Sequence, residues 1–430
     1  MLDTSRTLIL RSAATAWPVA GVVVAARLYL RDAGQLKMLT YAFTGAVVAI
    51  VAPLPLLAVS LASSFGFRRV AALGIDISIA DVVLTAAAAA AARFLAAPGR
   101  RFREFLLVAI AFQVIMLVPV AANPTRAALF EWFHRLVLVG GAAAVGAAVF
   151  RTRLSFLAWR AFYAVTGLFA AHAISLAVRT GFEPAYPFGM QKNPAGLLMA
   201  FALLSMFVAP RLARVPTSLV PVAATVLLLG LLATRSRGAM IALLIASAIW
   251  VVRSGKVRHT LPVALAASVA LVAVVYITTE SEFEFVRANP EAERFRGIGA
   301  RVEQNERAVE IWRGSPLVGE GLRYFRDPRF EIVEPHNVVL YVATESGFVG
   351  LVALGVLLGG GFYALRGLQG PLAQLARLAL LMRFTAGLFD IYWVAGTGSL
   401  PWIIAGMALA EERRSLPEST AGRDERLAVS

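Results

Sequence analysis

The chain has no cysteine and few charged residues. With no cysteine among its 430 residues, disulfide frameworks, cysteine–zinc sites and iron–sulfur clusters are excluded. Charged residues make up 16% of the chain and hydrophobic residues 59%, whereas a typical soluble domain is about 25% charged. The chain has too little polar surface for a soluble globular enzyme and is too apolar to be disordered.

Histidine and acidic residues are also scarce. The spacing of the four histidines is not that of metal ligands. The chain has 26 acidic and 41 basic residues, which gives a net charge of +15. In a soluble protein this excess would suggest nucleic acid. Here the basic residues lie mostly in short links between apolar runs. That distribution predicts an inner-membrane protein that contacts anionic lipid headgroups and has no nucleic-acid partner.

Long apolar runs are abundant, and a bilayer core needs about 20 apolar residues per helix. The sequence therefore predicts an all-α polytopic membrane protein with thirteen candidate spans. The candidates are 12–30, 39–62, 76–97, 104–121, 128–150, 154–177, 194–210, 216–233, 238–252, 260–278, 337–366, 372–390 and 391–410.

Arginine clusters in alternate links predict the orientation of the chain. The clusters lie at 100–103, 151–153, 211–214 and 253–258, and these links should face the cytoplasm. The opposite links should face the periplasm. Three spans before residue 98 would then place the N-terminus outside, so we expect about twelve full spans, with one of the first three candidates broken, re-entrant or interfacial.

Four regions follow from this reading. They are an N-terminal transmembrane bundle (1–278), a large periplasmic loop with short helices (279–336), C-terminal transmembrane helices (337–410) and a disordered cytoplasmic tail (411–430). Long polar segments between spans lie outside the hydrocarbon and are usually functional. The composition of 299–313 predicts a helix within the loop.

Polar motifs cluster on the predicted outer side. They are Gln191-Lys192-Asn193-Pro194, Thr234-Arg235-Ser236-Arg237-Gly238, Gly299-Ala300-Arg301, the turn 315–321, Pro335-His336-Asn337 and Glu345-Ser346-Gly347. One histidine, several arginines and one of the few lysines would therefore lie at one membrane depth. The glycines of 315–321 are expected to shape a turn.

This ordered combination, across roughly residues 190–410, resembles the O-antigen ligases and their relatives, the O-antigen ligase-like polymerases and protein O-oligosaccharyltransferases. The N-terminal third carries no matching motif. The resemblance implies a GT-C-like architecture and transfer of a glycan from undecaprenyl pyrophosphate to an acceptor hydroxyl at the periplasmic face. For a ligase the acceptor is lipid A–core oligosaccharide. The resemblance also implies that neither metal nor nucleotide cofactor is needed.

By position, the resemblance assigns the family's catalytic histidine to His336 and its two arginines to Arg237 and Arg301. The chemistry of these residue types agrees, since attack on an anomeric carbon needs a base, and histidine ordinarily titrates near 6.5. We expect Pro335 in the first turn of the next helix, so that the positive helix end disfavours the imidazolium. Arginine forks suit pyrophosphate oxygens, and in-line displacement predicts inversion.

Other polar residues are expected to support the site. Lys192 and Arg235 would add charge for the donor pyrophosphate, and the supporting residues are Gln191, Asn193, Asn337 and Glu345. Asn337 either orients His336 or caps the helix. Glu345 lies about half a turn round from His336 and should pair with an arginine of a neighbouring span.

Ionisable residues within the spans have two readings. Such groups are functional by default, but structural pairing is the preferred interpretation for Asp76, Asp81, Glu131, Arg135 and His172. Arg383 and Asp390, seven residues apart, should pair with each other or bridge to other groups.

Two rival functions remain from the sequence. A polymerase, or a ligase acting on protein serine, would use the same chemistry on a different acceptor. A transporter or flippase would accommodate broken helices and buried charges, but the best polar cluster lies at one face rather than at the midplane.

Overall fold

The computed structural model describes residues 33–72, 75–95, 98–212, 214–254, 298–327, 333–394 and 396–415. These residues are mainly helical. The N-terminal helices are α1 (Ala33–Val51), α2 (Pro53–Ala58), α3 (Ile79–Ala91), α4 (Arg100–Ala122), α5 (Arg126–Arg151) and α6 (Ser155–Arg179). The others are α7 (Lys192–Val208), α8 (Val220–Thr234), α9 (Arg237–Ser254), α10 (Ile298–Gly314), α11 (Val338–Leu365), α12 (Pro371–Gly387) and α13 (Leu400–Ser415).

Five of the described helices are long and apolar enough to cross a membrane. They are α4, α5, α6, α11 and α8 with the single turn before it. The prediction of an all-α membrane protein is therefore confirmed at this level, whereas twelve spans and a GT-C arrangement stay predictions. Candidates 12–30 and 260–278 lie outside the described residues.

The candidate span 39–62 is interrupted. Helix α1 ends at Val51 and the short helix α2 begins at Pro53, because proline lacks a backbone N–H and restricts the residue before it. A two-stranded antiparallel hairpin, β1 (Arg69–Ala72) and β2 (Ile75–Ser78), leads into α3. This break agrees with the interruption expected among the first three candidates, and the total of twelve spans stays a prediction.

The bounds of two helices bear on further sequence predictions. Helix α10 covers the segment 299–313 that was predicted to be helical within the large loop. Helix α13 continues to Ser415, so residues 411–415 of the predicted tail are helical, and the disorder of the tail stays a prediction. Residues 416–430 lie outside the described part of the chain.

Several predicted outer links meet at one end of the bundle. Asn123 Nδ2, just after α4, donates to the Gly319 carbonyl at 3.1 Å. The Ala185 amide, between α6 and α7, donates to the Ala233 carbonyl near the end of α8 at 3.0 Å. The arginine clusters predicted that these links lie on the same side of the membrane, and the contacts between them are consistent with that prediction. The periplasmic orientation of this end stays a prediction.

Helix α11 is broken at Gly347, and the turn 315–321 docks into the break. Gly347 has φ 61° and ψ −158°, a region that is essentially restricted to glycine. A Cβ at Gly347 would overlap the Leu317 backbone. The hydrogen bonds of this junction run from Phe348 N to Pro316 O (2.8 Å), Val349 N to Leu317 O (3.1 Å), Glu320 N to Thr344 O (2.9 Å) and Gly321 N to Glu345 O (3.0 Å).

The junction generates a stability prediction. Gly347→Ala should destabilise the protein by at least about 1–3 kcal/mol, because alanine must adopt a glycine-only conformation and overlaps the docked turn. Thermal unfolding of the purified protein in detergent measures the loss. Gly355→Ala is the matched control, since a Cβ at Gly355 in the same helix meets nothing within 4 Å. Equal unfolding temperatures for the two variants would contradict the docked junction.

Candidate active site

A cationic hollow opens at the end of the bundle where these links meet. It encloses about 370 Å³ of empty space, including space open to solvent. Its walls come from the start of α7, the turn between α8 and α9, the first described turn of α10 and the end of α12. The lining residues are Lys192, Asn193, Leu197, Arg235, Ser236, Arg237, Gly238, Ala239, Arg301, Ala386, Phe389 and Asp390.

Within the described part of the chain, four cationic side chains and one carboxylate line the hollow. Lys192, Arg235, Arg237 and Arg301 supply the positive charge, and Asp390 supplies the carboxylate. The four cations were all predicted as site residues, although they are separated by up to 109 positions from Lys192 to Arg301. This excess of positive charge favours an anion with several negative oxygens.

The turn between α8 and α9 presents two of the arginines. Arg235 ends α8 in a left-handed conformation, with φ 50° and ψ 33°, which is uncommon for a residue other than glycine. The buried Thr234 Oγ1 donates to the Leu231 carbonyl at 2.6 Å and accepts from Ser236 N at 3.3 Å. These hydrogen bonds fix the tight turn internally, and Arg235 and Arg237 line the hollow at this turn.

A close approach brings the start of α7 against that turn. A Cβ at Gly196 would lie 2.6 Å from Ser236 Cβ and 2.8 Å from Thr234 Oγ1, so a larger residue would force the two elements apart. Helix α7 begins at Lys192 after Gln191, and the amides at the start of a helix are a general anion-binding feature. Lys192 and Asn193 therefore reach the hollow beside the arginines.

His336 adjoins the hollow through Asp390. Its Nδ1 lies 3.3 Å from Asp390 Oδ1, and the two side chains are 28% and 17% exposed. In the tautomer protonated on Nδ1, the ring donates to the carboxylate and Nε2 carries a lone pair. A histidine held by a carboxylate in this way is the arrangement expected of a general base.

Asn337 caps helix α11. Its Oδ1 accepts from the amides of Val339 at 2.9 Å and Leu340 at 3.2 Å, which selects the capping role from the two that the sequence left open. The expectation that Pro335 lies in the first helical turn is wrong, because the cap places the first residue of the helix at Val338. His336 still directly precedes the positive end of the helix.

The remaining predicted site residues lie away from the walls of the hollow. Gln191 is the residue before α7. Glu345 is fully buried and accepts from Arg135 Nη2 at 2.7 Å, which confirms its predicted pairing with an arginine of another span. The structure thus places Glu345 in the core, apart from the hollow that it was expected to support.

Asp390 is the site residue that sequence reasoning missed. The spacing indicated a pairing with Arg383 or a bridge to other groups, and the carboxylate in fact contacts His336, which lies 54 positions earlier. Arg383 Nη2 instead donates to the backbone carbonyls of Ile391, at 2.7 Å, and Tyr392. In the sequence, Asp390 is recognisable only as an aspartate at the predicted outer end of a span. That position does not identify its partner.

These features define a helical membrane protein with a cationic hollow and an adjoining histidine–aspartate pair at one end of the bundle. Residues 222–355 match the family model described as O-Antigen ligase. The segment is therefore an O-antigen ligase family domain, and the resemblance predicted from the sequence is confirmed. The comparison with curated proteins finds no match.

The matched segment carries much of the candidate site. It includes Arg235, Arg237, Arg301 and His336, whereas Lys192 and Asp390 lie outside it. Members of the family are glycosyltransferase-like ligases or polymerases. The family implies a lipid-linked glycan and a lipid acceptor.

The cap at Asn337 can be tested by substitution. Asn337→Ala should lower the free energy of unfolding by about 0.5–2 kcal/mol, whereas Asn337→Ser should keep most of it, because serine accepts the same hydrogen bonds. Thermal unfolding compares the two variants. If alanine and serine gave equal losses, the side chain would not act as the helix cap.

Proposed function

We propose that this protein transfers O-antigen polysaccharide from undecaprenyl pyrophosphate to a sugar hydroxyl of lipid A–core, at the periplasmic face of the inner membrane. The main support is the convergence of Arg237 and Arg301 on a hollow whose wall residue Asp390 contacts His336. The O-antigen ligase family match supplies the reaction class.

The cationic wall is the proposed site of the donor pyrophosphate. Arg237 and Arg301 hold its oxygens with bidentate forks, and Lys192 and Arg235 add charge. The amides at the starts of α7 and α9 favour an anion at the same place. Because negative charge develops on the pyrophosphate as the glycosidic bond breaks, fixed cations there lower the barrier more than they stabilise the bound donor.

The proposed base is Nε2 of His336. Asp390 holds Nδ1–H and so fixes the tautomer and the ring orientation. Nε2 takes the proton of the acceptor hydroxyl while the hydroxyl oxygen forms a bond to the anomeric carbon. The bond between that carbon and the pyrophosphate oxygen breaks from the opposite side. The products are an inverted glycosidic linkage, undecaprenyl pyrophosphate and an imidazolium that releases its proton to solvent.

Polymerization or transfer to protein serine is the alternative within the same chemistry, since the family match covers ligase and polymerase-type activity. Lipopolysaccharide from a deletion strain separates the cases. Loss of a ligase leaves full-length polymer and a bare core, whereas loss of a polymerase leaves the core capped with a single unit. Unchanged lipopolysaccharide with loss of glycan from a protein would identify the protein acceptor.

A transporter is a weaker candidate. Broken helices such as α11 and buried charges occur in transporters, but their substrate sites lie near the midplane at the interface of repeats. The cationic hollow lies instead at the ends of α7, α8, α9 and α12. Transfer by purified protein, without a membrane separating two compartments, distinguishes an enzyme from a transporter.

The base assignment predicts a large kinetic effect. His336→Ala should lower the transfer rate roughly 10²–10⁴-fold, as expected for loss of a positioned base, and Asp390→Asn should lower it by a smaller factor. His172→Ala is the control, because His172 accepts a hydrogen bond from Phe188 N away from the hollow. Transfer by the folded His336→Ala variant at the wild-type rate would refute the base assignment.

If Arg237 binds the donor pyrophosphate with a bidentate fork, a positive charge alone at this position should not support full activity. Arg237→Lys should lower kcat/KM for the donor roughly 10–100-fold, because a charged hydrogen bond contributes about 1.5–3 kcal/mol and a point charge does not replace the fork. Arg313→Lys, on an exposed position of α10, should leave transfer unchanged. Equal activity of the Arg237→Lys and Arg313→Lys variants would show that Arg237 does not bind the donor.

A further inference from the structure

A buried ionic network lies apart from the hollow and joins α3, α5, α11 and the loop after α10. Its members are Asp81, Glu131, His134, Arg135, Arg323 and Glu345, with side chains at most 13% exposed. His134 contacts Asp81 at 2.8 Å and Glu131 at 3.3 Å through its two ring nitrogens. The proposed reaction does not use these groups, so their arrangement requires its own explanation.

Arg135 is the member that contacts both segments carrying the histidine–aspartate pair. Its Nη2 donates to Glu345 Oε2 at 2.7 Å, and Glu345 is on α11, which begins directly after His336 and Asn337. Its guanidinium also lies over the ring of Trp393, 4.9 Å from the centroid. Trp393 follows Asp390 in the link between α12 and α13. The Arg135 side chain therefore links the segment that carries His336 to the segment that carries Asp390.

The same carboxylates also fasten the loop that follows α10. Arg323 Nε donates to Glu131 Oε2 at 3.2 Å, and its backbone amide donates to Glu345 Oε1 at 2.8 Å. Arg135 Nε completes the contact by donating to Glu131 Oε1 at 3.2 Å. Two guanidiniums and two carboxylates thus form one buried unit that fixes α5, α11 and the loop relative to each other.

A contribution to stability does not by itself explain why two guanidiniums and two carboxylates are buried together. Replacing a buried ion pair by apolar residues of similar volume is often neutral or stabilising, whereas removing one partner is strongly destabilising. The directional hydrogen bonds of the buried unit restrict the relative geometry of the elements that they join. Through Arg135 and Trp393, this unit also contacts the link that carries Asp390.

We propose that Arg135 is a positioning residue for the transfer reaction: it joins Glu345 to Trp393 and thereby sets the His336–Asp390 pair. This inference rests on the proposed function. The donor cations lie on other elements, with Lys192 on α7, Arg237 on α9 and Arg301 on α10. Loss of Arg135 should therefore lower turnover while donor binding is retained.

The test compares Arg135→Met with the double variant Arg135→Met/Glu345→Gln, in the full-length protein in detergent. The double variant removes the carboxylate left unpaired by the first substitution, and so keeps the test valid if the single variant fails to fold. We expect the double variant to fold and to bind undecaprenyl pyrophosphate with wild-type affinity. Its kcat should be at least about tenfold below wild type, because misplacement of catalytic groups by about 1 Å has large kinetic costs.

Phe162→Leu serves as the stability control. Phe162 is fully buried against Phe65 and Trp159, away from the network, and its substitution should lower thermal stability while kcat is retained. A wild-type kcat in the double variant would overturn the positioning role. A loss of donor affinity in parallel with the loss of kcat would overturn it as well. Absence of transfer by wild-type protein would instead refute the proposed function, so the two failures are distinguishable.

Discussion

Charge buried in an apolar helical bundle must be matched within the protein, and this constraint shapes the described fold. Arg135, Arg323, Glu131 and Glu345 satisfy one another in the core. The hollow at the end of the bundle is different, because the described residues that line it include four cations and one carboxylate. Cations gathered from four separate elements on one wall indicate where an anionic ligand would bind.

Backbone geometry brings the reactive segments together. The break at Gly347 lets the turn 315–321 hydrogen-bond to α11, and the left-handed Arg235 closes the turn between α8 and α9. Such conformations are costly and persist only where their surroundings determine them. Here the broken helix fixes the loop that follows α10, and the tight turn places Arg235 and Arg237 at the wall of the hollow.

Much of the candidate site was predictable from local sequence patterns and the family resemblance. Arg237 and Arg301 were assigned through the family resemblance, and parity predicted an interruption in one of the first three candidate spans without placing it. Asp390 was not assigned to the site, because its contact with His336 depends on how the link after α12 is folded. Arg383 holds that link through backbone carbonyls, an interaction that residue spacing does not encode.

The central claim is that one hollow holds the donor pyrophosphate beside the imidazole. An experimental structure of the protein with undecaprenyl pyrophosphate bound tests it most directly. The account predicts diphosphate density between the guanidinium groups of Arg237 and Arg301, with the ring of His336 facing the same space. Density at the opposite end of the bundle, or contacts that omit both arginines, would contradict it.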